Sequence, residues 1–144
     1  MTGTRSTRST RSPVQLAAAV VSVVFVLVGV LGFVPGAIDY DALQLAGTQS
    51  DAMLLGIFQV SVLHNIVHLA FGVVGLAMSR TAAAARTFLI GGGLIYVVLW
   101  LYGLFIDLDS AANFVPLNAA DNWLHLALAA GMILLGVVLP RRAG

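Results

Sequence analysis

The chain has 144 residues, 60% of them hydrophobic and 9% charged, with a formal net charge of +1 and no cysteine. Soluble domains carry roughly 25% charged residues, so a chain with so few is built for lipid as its solvent. The missing cysteines exclude disulfides, thiol catalysis and thiolate-held iron–sulfur clusters. All cations are arginine and all anions aspartate, which matches the codon bias of a high-G+C bacterial genome and removes lysine Schiff-base chemistry.

In chain order, residues 1–13 come first as a tail. Thr-Arg-Ser occurs three times from Thr4 to Ser12, a basic low-complexity run with nothing to bury, expected to be disordered and to touch anionic headgroups. Its hydroxyls beside arginines would also suit phosphorylation. Residues 14–144 are expected to form one four-helix transmembrane domain, with apolar spans at about 14–34, 53–78, 88–106 and 123–139. About 20 helical residues cross the hydrocarbon core, and only helices or closed barrels satisfy backbone polar groups there. Continuous apolar runs are not barrel strands. The first span is longer than a signal-peptide core, so it reads as a retained helix.

The charges sort by loop. Arg5, Arg8 and Arg11 precede the first span, Arg80 and Arg86 separate the second from the third, and Arg141 and Arg142 follow the fourth. Asp39, Asp41 and Asp51 fall in the first loop, and Asp107, Asp109 and Asp121 in the third. Arginine-bearing loops stay in the cytoplasm, so both termini are expected inside, in a bacterial inner membrane. Phe33, Tyr40, Trp100, Tyr102, Phe105, Phe114 and Trp123 gather at the opposite ends as an interfacial belt. Gly72, Gly75 and the run Gly91–Gly93 mark places where helices pack closely. Gly32 and Gly36 have the Gly-xxx-Gly spacing, but Pro35 between them points to a helix end.

Asn65-Ile-Val-His68-Leu-Ala in the second span recurs as Asn122-Trp-Leu-His125-Leu-Ala in the fourth, and Phe33-Val-Pro recurs as Phe114-Val-Pro. That pattern suggests tandem duplication of a two-helix hairpin about an axis along the membrane normal.

His64, Asn65, His68 and His125 are the polar residues set within apolar helix, where such side chains face the bundle interior or a cavity. His64 and His68, four apart, share a helical face. His64 precedes Arg80 by as many residues as His125 precedes Arg141, about 24 Å of helix, which puts both in the outer half. They are expected to approach across the second and fourth helices, with Asn122 and the Asn118–Asp121 turn closing the space above. Asn118 or Asp121 would cap the fourth helix.

Three readings of the cluster compete: hydrogen-bonded glue between helices; a cofactor site, with a divalent metal on His64, His68 and His125 or a haem ligated from two helices; and a polar route for protons or a small solute, entered past Asp121, Asn122 and Asn118. His64 and His68 share a helix, so they cannot be opposite axial ligands of one haem. The cofactor therefore stays unknown, with haem or a divalent metal open.

The stretches His64-Asn65-x-x-His68-Leu69-x-Phe71-Gly72-x-x-Gly75, Tyr96-x-x-x-Trp100-Leu101-Tyr102-Gly103 and Asn113-Phe-Val-Pro-Leu-Asn118-x-x-Asp121-Asn122-Trp123-x-His125 resemble an uncharacterised family of four-helix bacterial membrane proteins. It is a domain-of-unknown-function family common in high-G+C Gram-positive bacteria, and the resemblance runs from about Val14 to Leu139. It implies the fold and the membrane location but no substrate. There is no nucleophile–base pair, phosphate loop or paired carboxylate, hence no enzyme signature. The expectation is a bundle with a His/Asn-lined polar site that binds a small molecule or serves an accessory role. A haem- or metal-binding redox component and a structural or assembly subunit are the alternatives. The expected partners are the lipid bilayer, a second copy or a membrane complex, and no nucleic acid.

Overall fold

The computed structural model describes residues 11–142 and is mostly helical, with α1 Pro13–Leu31, α2 Val62–Met78, α3 Ala82–Phe105 and α4 Ala119–Val138. Three of the helices, α1, α3 and α4, are long and apolar enough to cross a membrane, with 19, 24 and 20 residues. The apolar α2 is shorter, at 17 residues.

Local chemistry sets each boundary. Residues 1–10 of the expected tail lie outside the described residues, and Ser12 already caps α1, with Pro13 at its first turn, where a missing N–H costs nothing. α1 ends at Gly32, ahead of Pro35, as the proline suggested. The expected second span, 53–78, needs correction at its start. Residues Met53–Leu54 (β1) and Phe58–Gln59 (β2) pair as a small antiparallel hairpin, and only from Val62 does the chain turn helical. Two features cut the apolar run. Leu55 and Gly56 take positive φ angles of 53° and 71°, a turn that reverses the chain. Ser61 then accepts a hydrogen bond from the His64 amide at 3.1 Å, capping α2. α3 begins earlier than 88, because Thr81 caps the alanine run through the Ala84 amide. α4 begins before 123, because Asn118 accepts from the Asp121 amide and Asp121 accepts from the Asn118 amide, a reciprocal capping box.

α1 packs along α2 and α3 along α4, and the two hairpins meet chiefly through α1 and α3. At one end of the molecule, the Gln15 side-chain amide donates to the carbonyls of Ser79 and Arg80, at 3.2 and 2.8 Å, and Arg86 donates to the Val137 carbonyl at 2.8 Å. This is the arginine end. At the other, the aspartate end, the β1–β2 hairpin meets the start of α4.

Between helices in lipid there is little hydrophobic drive, so close approach must come from small residues. A Cβ on Gly72 would lie 2.7 Å from the Ser22 carbonyl oxygen, and one on Gly93 3.1 Å from that of Ala129. The hairpins are wedged together by aromatic rings. Phe25 stacks on Tyr96 at 5.5 Å, and Phe71 meets Phe25, Phe88 and Tyr96 at 4.9–5.6 Å between centroids. A smaller apolar cluster of Ile38, Ala52, Leu54 and Val60 sits at the aspartate end. Outward-facing Val20, Leu27, Val73, Val98 and Val138 are all exposed, an apolar surface suited to contact with lipid.

Candidate functional site

Four of the polar residues expected to face inward do so among the described residues: His64, Asn65, His68 and His125 are buried, as are Asp121 and Asn122, while Asn118 is half-buried. The rest of the geometry divides them into groups with and without partners.

Asn65 is bonded through its side-chain nitrogen. Its side-chain amide donates to the Gly32 carbonyl at the C-terminus of α1, satisfying a carbonyl that the helix leaves open. The side chain rests so closely on Gly32 that no Cβ fits there. His68 donates from Nδ1 to the His64 carbonyl, one turn back, at 3.0 Å, which assigns its tautomer. Its ring lies 4.6 Å from that of His64 and 5.6 Å from Phe25.

The second hairpin repeats the placement but not the bonding. Asn122 rests on Gly103 as Asn65 rests on Gly32, again leaving no room for a Cβ. His125 lies against Tyr96, 5.2 Å between centroids, as His68 lies against Phe25. Yet Asn122 Oδ1 and His125 Nδ1 are buried without a hydrogen-bond partner, and so is His64 Nδ1 in the first hairpin. A buried polar atom left unpaired costs about 1–3 kcal/mol, and such a cost in a folded protein asks for an explanation.

Two cavities meet at the histidines. The larger, about 260 Å³, is lined by α2, α3, α4 and the Phe114–Leu117 segment. The smaller, about 110 Å³, lies toward α1 and the β1–β2 hairpin. Only His64, His68 and His125 line both, so the three rings form a polar partition between the two spaces. Val67, Val98 and Phe114 at the wall of the larger cavity are exposed, which opens it sideways between α2 and α3 at the lipid-facing surface.

Other expectations change. His64 and His125 share these walls, but no hydrogen bond joins them and α2 does not pack extensively on α4. The expected approach across those two helices is therefore indirect. The triad His64, His68, His125 does not have metal-site geometry: among the described residues no group of three His, Cys, Asp or Glu could hold a metal ion. The reason lies in the rings. His64 and His68 stack within 27° of parallel, so their in-plane lone pairs do not converge, and His68 Nδ1 is turned to the backbone.

The turn Asn118–Asp121 is tied down by hydrogen bonds. Asp121 Oδ2 accepts from the Gln59 amide as well as from Asn118, each at 3.0 Å, and Asn118 Nδ2 donates to the Ile57 carbonyl at 2.8 Å. These bonds clasp the β1–β2 hairpin to α4 at the aspartate end. Asn113, fully buried, braces the same segment by bonding Leu108 and both the amide and carbonyl of Leu117.

Tyr96, Leu99 and Leu117 line the larger cavity without having been singled out in the sequence as site residues. For Tyr96 a signal existed, as a phenol in the middle of an otherwise apolar span. Leucines carry no such mark.

No curated protein and no solved structure matches the chain. A family model matches residues 15–138, the histidine partition included, and by it the chain belongs to the family described as domain of unknown function DUF4383.

Proposed function

We propose that this is a multi-pass protein of the bacterial inner membrane in which all four helices cross the bilayer, the arginine end faces the cytoplasm, and the two hairpins, copies of one duplicated unit, enclose a binding site for a small lipid-soluble molecule bearing a hydrogen-bonding oxygen. The observation that carries the site is a cavity of about 260 Å³ lined by His64 and His125, each of which also keeps a buried Nδ1 without a hydrogen-bond partner. An apolar pocket with a few converging polar groups is the usual form of a small-molecule site. Here the lining favours a greasy body and the imidazoles favour a carbonyl or hydroxyl. At 17 residues α2 falls at the short end of what spans a bilayer, and the segregation of arginine from aspartate supports the orientation. The matched Asn–Gly and His–aromatic contacts of the two hairpins support the duplication.

A matched pair of probes tests the site. 1-Naphthol and naphthalene differ by one hydroxyl, and titration of the purified protein in nanodiscs should show naphthol binding roughly tenfold tighter, the worth of a hydrogen bond to a previously unpaired group. His64→Leu and His125→Leu should each reduce that preference. Equal binding of both probes by the unaltered chain, or a preference that survives both substitutions, refutes the reading. For orientation, tags at Met1 and Gly144 should resist external protease in intact cells while the loop around Gln44 is cut. Accessible termini would overturn the charge argument.

A further inference from the structure

The arginine end holds a second concavity, of about 360 Å³, lined by Arg86, Thr87, Ile90, Gly91 and Arg141. It lies between the first turns of α3 and the segment just after α4. We infer that it is a binding site for one anionic phospholipid, with the phosphodiester held between the Arg86 and Arg141 guanidinium groups and an acyl chain lying along Ile90 and Gly91.

Three observations lead there. First, the two cations have no side-chain counterion at their own end: every aspartate of the chain falls toward the other end, and there is no glutamate. Like charges lining one concavity repel, so an external anion is the natural third member. Second, Arg86 is fixed rather than free, because Nη2 donates to the Val137 carbonyl at 2.8 Å. A guanidinium has five N–H donors in a rigid fork, so most remain available to the two oxygens of a phosphate. Third, the concavity is amphipathic along the helix axis. Its charged members lie toward the end of the bundle, and Ile90 and Gly91 lie one turn deeper on α3, where a Cβ on Gly91 would meet nothing within 4 Å. A groove open at that point and charged above it matches a lipid's headgroup and chain, and basic pockets between helices at the membrane surface bind such lipids.

The shared chemistry is a phosphate, which a free ion could also supply, so the test separates the two. The full chain is purified from nanodiscs of phosphatidylcholine containing phosphatidylglycerol, and retained lipid is counted by native mass spectrometry. One phosphatidylglycerol should stay bound, in preference to phosphatidylcholine. Arg86→Gln and Arg141→Gln should each lower its retention by more than the roughly fivefold expected from losing one diffuse surface charge, whereas Arg11→Gln should stay within that. Gly91→Leu has space to fold and fills the groove, so it should displace the lipid with both arginines intact. Loss of retention in Arg11→Gln as large as in Arg86→Gln would mean unspecific attraction and overturn the proposal. So would full competition by inorganic phosphate together with an indifferent Gly91→Leu, which would assign a free anion. Unchanged retention in both arginine variants would refute the site altogether.

Discussion

The two hairpins are built on one plan and differ in which polar groups they leave unspent. Superimposed by chain offset, Phe25 and Gly32 of α1 correspond to Tyr96 and Gly103 of α3, and His64, Asn65 and His68 of α2 to Asp121, Asn122 and His125 of α4. In the first hairpin the asparagine and the deeper histidine are bonded and the first-turn residue, His64, keeps a free nitrogen. In the second the pattern inverts: the first-turn residue, Asp121, is bonded twice through Oδ2, and the asparagine and histidine each keep a free atom. Identical positions therefore serve opposite ends. One half supplies scaffold where the other supplies site, and the two histidines with an unpartnered Nδ1 that line the common cavity come one from each half. A motif repeated in sequence is thus no guide to role until each atom's partner is known.

The comparison can be broken at several points. The largest effects should come where the halves agree. Gly32→Ala and Gly103→Ala each drive a methyl into the asparagine resting there, and overpacking of this kind costs about 1–3 kcal/mol. Thermal unfolding in detergent should fall for both, with recovery when Asn65→Gly or Asn122→Gly is added to its own hairpin. Recovery in only one would mean that the two contacts are not equivalent.

Next come the first-turn residues. Asp121→Ala strips the acceptor from the Gln59 and Asn118 amides, so it should cost about 1–2 kcal/mol, the usual loss for a cap. It should also make the Leu55–Ile57 turn more open to limited proteolysis. A stable, protease-resistant variant would show that the clasp does not hold that end.

The asparagines should then differ. Asn65→Ala removes a satisfied bond and exposes the Gly32 carbonyl, at about 1 kcal/mol. Asn122→Ala deletes an atom that had no partner and should cost distinctly less. Equal losses in unfolding temperature would erase the claimed asymmetry. The smallest expected change is a gain. Leu55 has a positive φ, which costs a branched side chain roughly 1 kcal/mol relative to glycine, so Leu55→Gly should raise the unfolding temperature slightly and leave probe binding alone.

Much of this was legible in the sequence for a physical reason. Burial of His64, His68 and His125 follows from their place on apolar helices, since lipid tolerates no exposed imidazole, and the helix caps at Asn118 and the stop before Pro35 are local chemistry. What stayed hidden depends on distant partners. Nothing within residues 53–61 announces that Gln59 and Ile57 bond α4 rather than extend α2, because that run is as apolar as the helix after it. For the three histidines the sequence left a shared metal open beside other readings, because spacing gives the face of a helix but not the tilt of a ring.

The clasp has one more consequence, for the order of events during synthesis. Its bonds join residues 57–59 to residues 118–121, so the β1–β2 turn lacks these partners until most of the chain has left the ribosome. Chains form their N-terminal parts first, and α1 with α2 can therefore pair early while their connecting loop waits. Arrival of α4 then closes that loop and finishes the cavity in the same step. A chain stalled after α3 would carry an open, protease-sensitive first loop, so the state of that loop records whether translation ran to the fourth helix.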